Sequence, residues 1–333
     1  MGRVLRFHTR MDRLDALRGL SARCSCGLNP SISDLGLGAA GPPCARSGRL
    51  RYLVRVSGGR TRRVRGRPQG AGSGPSADRP ECLSGVHVVR EALRAGRRSF
   101  GRLWVDPSAR RGEVAALVGR AERLGVPVSE AATSEWVGRL DAASRRANPQ
   151  GIMLEAGPLP AVGLEELIAS LPEGDGCLVM LDEVEDPQNV GALIRAAETA
   201  GAQGLILPAR RSPPLGGAVS RASSGALEWL PVARVGNLAR ALDRLKEANA
   251  WVVGAEHTAS VSLYELSDRQ LAGRLVVVLG SEGRGLREGV RKRVDFPVSI
   301  PMHGQVGSLN VSTAGAVILY ELVRRRSLLS QMG

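Results

Sequence analysis

Three polar turns carry the residues of this chain that could do chemistry. Asn189 and Arg195 flank the first turn, Glu282 lies in the second, and Ser308 and Asn310 lie in the third. A guanidinium offers a permanent charge and two parallel donors, which suits a phosphate. A carboxylate can accept a proton or a hydroxyl hydrogen bond, and Ser and Asn side chains both donate and accept. Each turn follows an apolar β-type segment, so we expect one ligand site built from strand ends.

Each residue also has a simple structural explanation. Arg195 can pair with Glu198 or Glu185 on a helix surface, and Asn189 can cap the helix that follows it. Glu282 can be a solvated turn residue, and Ser and Asn in the third turn can be helix caps. The glycines of the second turn follow a G-x-x-G-x-G spacing, which is not the G-x-G-x-x-G of dinucleotide-binding proteins. A nucleotide-dependent dehydrogenase is therefore disfavoured.

The elements around these turns alternate between strand and helix, which predicts an α/β fold with a parallel sheet covered on both faces. Short apolar runs predict strands at residues 177–181, 204–207, 251–254, 275–279 and 298–300. Helical periodicity predicts helices at residues 190–200, 238–248 and 314–325.

A smaller α/β module precedes this part of the chain, over residues 82–157. Its predicted helices are residues 86–95 and 112–124, and its predicted strands are residues 103–105, 126–128 and 151–154. Residues 158–176 are expected to be a linker with a short helix. The larger domain then covers residues 177–328.

Residues 1–80 form a basic segment that we expect to be disordered. They contain 16 Arg, no Lys and 4 Asp, a net charge of +12, whereas the whole chain carries +14. Such a tail can bind RNA phosphates, or it can reflect a codon bias, since the chain has 44 Arg and 2 Lys. An organelle-targeting peptide and a start codon assigned too far upstream are further interpretations.

Composition argues against metal and membrane proteins. The five Cys form no C-x-x-C pair, and the four His form no paired-ligand spacing. No apolar run reaches the roughly 18 residues of a membrane-spanning helix, so the sequence predicts a soluble protein. The odd number of Cys favours a reducing compartment.

The three turns, taken in order, resemble the SPOUT class of methyltransferases, in the SpoU or TrmH family of RNA ribose 2′-O-methyltransferases. The matching motifs are N-V-G-A-L-I-R, L-G-S-E-G-R-G-L, and I-P-M followed by S-L-N-V-S. The resemblance covers residues 177–326 and is nearest to bacterial enzymes that methylate a guanosine ribose in 23S rRNA. Residues 85–89 resemble the start of the family's ribosomal-protein-like RNA-binding domain. That domain usually ends in His-Gln-Gly, where this chain has Pro149-Gln150-Gly151.

The resemblance implies a C-terminal trefoil knot that holds S-adenosyl-L-methionine, and it assigns roles to single residues. It implies cofactor binding by Gly280, Ile300, Leu309 and Met302. It implies a catalytic group of Arg195, Glu282, Asn310, Ser308 and Asn189, with Ser308 and Asn310 directed at the arginine and the target ribose. Whether the arginine or another group takes the 2′-hydroxyl proton is left open.

The resemblance also implies partners: an RNA substrate, expected to be 23S rRNA, and a second copy of the chain. Residues 314–323, with Leu319 and Tyr320, are a candidate self-complementary face, and the alternative is that this helix simply covers the sheet. A bacterial cytoplasmic location is expected, with a mitochondrial one as the alternative. The alternative functions are a tRNA ribose 2′-O-methyltransferase and a non-catalytic RNA-binding assembly factor.

Overall fold

The computed structural model describes residues 80–332 and contains two sheets. The predicted basic tail, including its possible targeting helix, lies outside the described residues except for Pro80. No helix of the described part is both long and apolar enough to cross a membrane.

The first sheet belongs to the small module and has four strands in the order β1-β4-β2-β3. The β2–β3 pair is parallel, and β4 is antiparallel to both β1 and β2. Its strands are β1 Glu81–Ser84, β2 Phe100–Val105, β3 Val128–Glu130 and β4 Ile152–Ala156. Its helices are α1 Val86–Ala95, α2 Gly112–Arg123, α3 Thr133–Trp136 and α4 Ala142–Arg146.

The small sheet is covered on both faces. Leu103 and Leu154 pack with residues of α1 and α2 in one apolar cluster, and Met153 packs with Trp136 and Leu140 in another. Both helices that periodicity predicted for this module, residues 86–95 and 112–124, are confirmed.

The second sheet has six strands, all parallel, in the order β10-β8-β9-β5-β6-β7. The strands are β5 Gly176–Asp182, β6 Gly204–Pro208, β7 Val232–Val235, β8 Ala250–Ala255, β9 Arg274–Gly280 and β10 Phe296–Val298. The central strands β5 and β9 are buried along nearly their whole length, as expected for a parallel sheet covered on both faces. The α/β prediction is confirmed.

Seven helices cover this sheet in the described part of the chain. They are α5 Leu164–Ser170, α6 Pro187–Thr199, α7 Gly217–Ala222, α8 Leu238–Glu247, α9 Asp268–Leu271, α10 Glu288–Arg291 and α11 Val311–Met332. Helices α6, α7, α9 and α11 pack on one face, and α5, α8 and α10 pack on the other. The trefoil knot stays a prediction.

Several boundaries differ from the sequence prediction for physical reasons. The strand predicted at residues 126–128 is shifted to Val128–Glu130, because Pro127 has no N–H to donate to the ladder. The strand predicted at 298–300 ends at Val298, and Ile300 is therefore free to line a loop. The short strands β1 and β7 were not predicted, since neither shows a clear alternation of apolar and polar residues.

The start of α6 also differs from the prediction. Asp186, not Asn189, is the N-cap, and its side chain accepts a hydrogen bond of 3.0 Å from the Gln188 amide. Pro187 occupies the first helical position, where its missing N–H costs nothing. Asn189 therefore lies in the first turn of α6, with its side chain free to reach another element.

Candidate active site

Three of the predicted catalytic residues form one hydrogen-bonded cluster at the carboxyl ends of β5 and β9. The Asn310 amide nitrogen donates to Glu282 Oε1 at 2.7 Å and lies 2.9 Å from Asn189 Oδ1. The Asn189 amide nitrogen donates to the same Glu282 oxygen at 3.1 Å. The three turns of the sequence therefore meet at one point, as predicted.

Asn310 has two roles in this cluster. Its side-chain oxygen accepts from the Ser312 amide at 2.9 Å, so it also caps α11. The cap holds the side chain in place while its nitrogen faces Asn189 and Glu282. The structural explanation and the functional one therefore apply to the same residue.

A glycine-rich loop presents Glu282. Gly283 and Gly285 have φ angles of +88° and +64°, in the left-handed region that favours glycine. The Gly285 amide donates to the Ser281 carbonyl at 2.9 Å, which closes the loop into a tight turn. The carboxylate of Glu282 is thereby held at the end of β9.

A pocket lies beside this cluster and brings together the residues expected to bind the cofactor. It measures about 1150 Å³, part of which is open to solvent. Gly280, Ile300, Met302 and Leu309 all line it, together with Ser308. Leu309 keeps 38% of its surface exposed. The pocket therefore offers apolar walls that are free to contact a ligand.

Gly280 is required at this pocket for steric reasons. A Cβ atom at this position would lie 2.3 Å from the Gly285 carbonyl carbon and 2.4 Å from its oxygen. Real Cβ atoms do not approach backbone this closely, so any side chain here would push the loop away. The glycine allows the loop to fold back over the end of β9.

Glu256 and His257 also line the pocket, although sequence analysis did not select them. Glu256 follows directly after β8, and its carboxylate accepts a 2.6 Å hydrogen bond from Arg291 Nε. The only signal in the sequence is their place after a predicted strand, where ligand-binding residues commonly occur.

Two acidic residues that the sequence did not indicate, Asp182 and Glu183, connect the first turn to the second through Arg287. The Asp182 carboxylate is fully buried and accepts from both the backbone amide and the Nε of Arg287, at 2.8 and 2.7 Å. Glu183 follows with a φ of +58° and pairs with Arg287 at 3.1 Å. These acids fix the glycine loop from its far end.

Arg195 lies apart from the cluster. It is six residues beyond Asn189 on α6, which corresponds to roughly 9 Å along the axis and about 120° around it. Its Nη1 donates to Ser224 Oγ at 3.1 Å, and it lines a separate groove with His87 and Arg90 of α1. Within one chain Asn310 therefore contacts Glu282 and Asn189, and Arg195 contacts Ser224, so the expected approach of Asn310 to the arginine is not present there.

Ser308 is also placed differently from the expectation. It lines the cofactor pocket next to Leu309, and not the groove that contains Arg195. Glu282 lines the same pocket as Ser308, so within one chain the expected catalytic group is divided between this pocket with its adjoining cluster and the groove that contains Arg195.

The small module shows what its departure from the family pattern changes. Gln150 Oε1 accepts from the Val86 amide at 2.8 Å, and Gly151 has a φ of +69° with Ala109 closely packed against it. The Gln and Gly of the signature therefore hold the loops together. The Pro149 carbonyl, at the position of the signature His, accepts a hydrogen bond of 3.3 Å from the Ile152 amide.

The described residues contain no group of three or more His, Cys, Asp or Glu side chains that could hold a metal ion.

Comparisons with known proteins match this geometry. The model of the SpoU rRNA Methylase family matches residues 176–320, and a model described as RNA 2′-O ribose methyltransferase substrate binding matches residues 82–162. The 23S rRNA (guanosine-2′-O-)-methyltransferase RlmB of Bordetella pertussis is 38% identical over 247 residues, which cover 74% of this chain and 98% of that protein. A putative TrmH family tRNA/rRNA methyltransferase of Staphylococcus haemolyticus is 35% identical, over 73% of this chain and 95% of that protein.

A solved structure agrees. The SpoU methyltransferase AviRb from Streptomyces viridochromogenes, in complex with the cofactor AdoMet, superposes with a TM-score of 0.61 at 25% identity. The match covers 74% of this chain and 89% of that chain. Together with the meeting of the three motif turns, these similarities show that the chain belongs to the SpoU rRNA methylase family of RNA 2′-O-ribose methyltransferases, which use S-adenosyl-L-methionine.

Proposed function

We propose that this protein transfers a methyl group from S-adenosyl-L-methionine to the ribose 2′-hydroxyl of a guanosine in 23S rRNA. The observation that carries the proposal is the meeting of Asn189, Glu282 and Asn310 beside one pocket at the strand ends. The choice of 23S rRNA rests on relatives that are named as 23S rRNA (guanosine-2′-O-)-methyltransferases.

The side chains that line the pocket suit the chemistry of the cofactor. Ile300 and Leu309 provide apolar surfaces suited to the faces of an adenine ring, and Met302 extends that wall. Gly280 leaves room for close approach of a ligand to the backbone of the loop. We assign these four residues to cofactor binding.

When bound, S-adenosyl-L-methionine would supply an electrophilic methyl group, whose bond to sulfur would break as its bond to the ribose oxygen forms, with S-adenosyl-L-homocysteine as the leaving group. The proton of the 2′-hydroxyl has to pass to an acceptor, so a group within hydrogen-bond reach accelerates the step. We assign Glu282 as the carboxylate of this site, oriented by the amides of Asn189 and Asn310. Ser308 lies on the pocket wall, where its hydroxyl can donate to or accept from a ligand.

We assign Arg195 as the guanidinium that contacts the target nucleotide. An arginine is a poor base but a strong donor to a phosphate or to a developing negative charge. Within one chain Arg195 lies in a groove that is separate from the cofactor pocket. We therefore propose that the protein is a homodimer, in which Arg195 of one copy approaches the cofactor pocket of the other.

The face proposed for that dimer needs one correction. Leu319 is only 2% exposed and packs in the core of its own chain, so it is wrong as an interface residue. Tyr320 is 49% exposed and remains a candidate. Light scattering of the purified protein distinguishes a dimer from a monomer.

We propose that residues 82–157 form the RNA-binding domain, that residues 158–176 link it to the next, and that residues 177–328 form the methyltransferase domain. Ribosomal RNA as substrate places the activity in the bacterial cytoplasm. The alternative is a mitochondrial location, because the basic residues 1–80 can also be interpreted as an organelle-targeting peptide.

The test is methyl transfer from tritiated S-adenosyl-L-methionine to 23S rRNA and to total tRNA, followed by mapping of ribose methylation. The proposal predicts one methylated guanosine in 23S rRNA. Methylation of tRNA alone would favour the tRNA enzyme, and binding of RNA without transfer would favour an assembly factor.

A further inference from the structure

The groove that contains Arg195 lies between the two parts of the protein. It measures about 700 Å³ including space open to solvent, and α1 of the small module forms one wall and α6 the other. His87, Arg90 and Glu91 line the first wall, and Arg195, Glu198 and Thr199 line the second. The small module thus contributes side chains to the cavity in which the proposed catalytic arginine lies.

The two walls are held together tightly. Arg98 and Glu228 form a two-pronged ion pair of 2.8 and 2.9 Å, with side chains 0% and 1% exposed. The segment that carries Glu228 also approaches α1 closely, because a Cβ atom at Gly225 would lie 2.7 Å from the Glu91 Cβ. Trp229 Nε1 donates to Glu91 Oε2 at 3.0 Å. The position of α1 relative to α6 is therefore well defined.

Helix α7, which precedes the segment that carries Glu228, packs closely against α6. A Cβ atom at Gly191 would lie 2.3 Å from the Ala222 Cβ. Arg221 extends from α7 to the small module, where its guanidinium donates to Ser84 Oγ at 2.6 Å. Helix α7 is therefore packed between α6 and the small module. This packing fixes the distance between the two walls of the groove.

Hydrogen bonding determines which nitrogen of His87 carries the proton. Arg90 Nη2 lies 2.9 Å from His87 Nδ1. A guanidinium can only donate, so Nδ1 accepts and the ring hydrogen is on Nε2. Arg90 is itself anchored by Glu91 at 2.8 Å and by Glu113 at 2.6 Å. His87, an exposed side chain, therefore presents a fixed N–H donor in the groove.

Arg195 completes the donor set. Within the described residues it forms no ion pair, and its recorded hydrogen bond is to a serine hydroxyl. A guanidinium and an imidazole N–H in one groove suit an anionic oxygen. In RNA the 2′-oxygen and the 3′-phosphate are on adjacent ribose carbons, so holding that phosphate also places the 2′-oxygen.

We propose that His87 and Arg195 together hold the phosphodiester next to the reacting ribose, and that Arg90 is a positioning residue that fixes the His87 tautomer. This inference rests on the proposed function. It gives the small module a part in placing the reacting nucleotide, in addition to capturing RNA.

The test is single-turnover methyl transfer to a 23S rRNA transcript with the enzyme in saturating excess. His87→Phe keeps a ring of similar size but removes the donor, and His87→Gln restores a donor. We expect His87→Phe to lower the rate constant by about 10-fold or more, the effect of one hydrogen bond to a charged group. We expect His87→Gln to recover most of the rate, and both variants to bind S-adenosyl-L-methionine and melt like the wild type.

Arg102→Gln is the matched control, because Arg102 belongs to the same module but contacts Ser129 on β3 and the Trp104 ring, away from the groove. Its rate constant at saturation should equal that of the wild type. Full activity of His87→Phe, or an equal loss in Arg102→Gln, would overturn the inference while the proposed function stands. A wild-type enzyme that methylates no RNA would overturn both.

Discussion

Replacing Gly280 with alanine tests the steric argument for the cofactor pocket. The new Cβ would lie 2.3 Å from the Gly285 carbonyl carbon, whereas ordinary contacts begin at 3.4 Å. The loop that carries Glu282 must therefore move by about 1 Å to relieve the clash. Overpacking of this kind costs about 1–3 kcal/mol. If that cost falls on the loop conformation that binds the ligand, affinity for S-adenosyl-L-methionine drops by roughly 5- to 150-fold.

Isothermal titration calorimetry measures this directly, with thermal melting as a check on folding. Gly304→Ala is the control, because nothing lies within 4 Å of a Cβ atom at Gly304 and it does not line the pocket. The control should bind the cofactor like the wild type. Wild-type affinity and wild-type melting in Gly280→Ala would refute the reasoning, since the loop would then have absorbed the clash at no cost.

Three further predictions concern the pocket, the contact between the two parts and the C-terminal helix. Leu309→Arg places a cation in a pocket for a cationic cofactor and should weaken calorimetric binding by about tenfold or more; unchanged binding would exclude Leu309 from the pocket wall. Glu228→Ala leaves buried Arg98 with Glu81 as its remaining carboxylate, and should lower the free energy of unfolding by about 3 kcal/mol, or roughly 6–12 °C in Tm. Hydrogen bonds from Arg324 and then Arg325 lower the pKa of Glu321 from 4.5 to about 2. The stability that Glu321 adds is therefore present above pH 4.5 and lost as the pH falls towards 2. In urea unfolding, Glu321→Gln should be less stable than the wild type at pH 7, with a difference that shrinks below pH 4.5; a difference independent of pH would contradict the assignment.

The main architecture could be predicted from the sequence because its signals are local. Buried parallel strands appear as short apolar runs, and the helices that cover them have a clear period, so five strands of the large sheet and the helices α6, α8 and α11 were located. β7 Val232–Val235 was missed because four residues at the sheet edge carry little pattern. α7 Gly217–Ala222 was missed because one and a half turns rich in small residues show no clear apolar stripe.

The sequence predicted that the three turns meet, but not where Arg195 lies. Motif order located Asn189, Glu282 and Asn310, and the structure joins them. The direction of Arg195 was not readable, because it depends on where α6 begins and on Ser224, which lies 29 residues further along the chain. Asp186 caps α6, so the helix begins three residues earlier than predicted and places Asn189 in its first turn.

The sequence also showed no sign that His87 and Arg195 line one groove. These residues lie in different parts of the chain, and the buried Arg98–Glu228 pair and the close packing at Gly225 hold α1 against the large domain. Contacts between elements more than 100 residues apart leave no periodic signal. Only the assembled structure shows that the small module forms a wall of the arginine groove.

The most direct test of the account is methyl transfer by Arg195→Ala, measured alongside its affinity for S-adenosyl-L-methionine. Arg240→Ala, an exposed arginine on α8 outside both cavities, is the matched control. Removing a donor that acts on the reacting group should lower the transfer rate by about 100-fold or more, while cofactor affinity stays within about twofold of the wild type. Near-full transfer activity in Arg195→Ala would contradict the account.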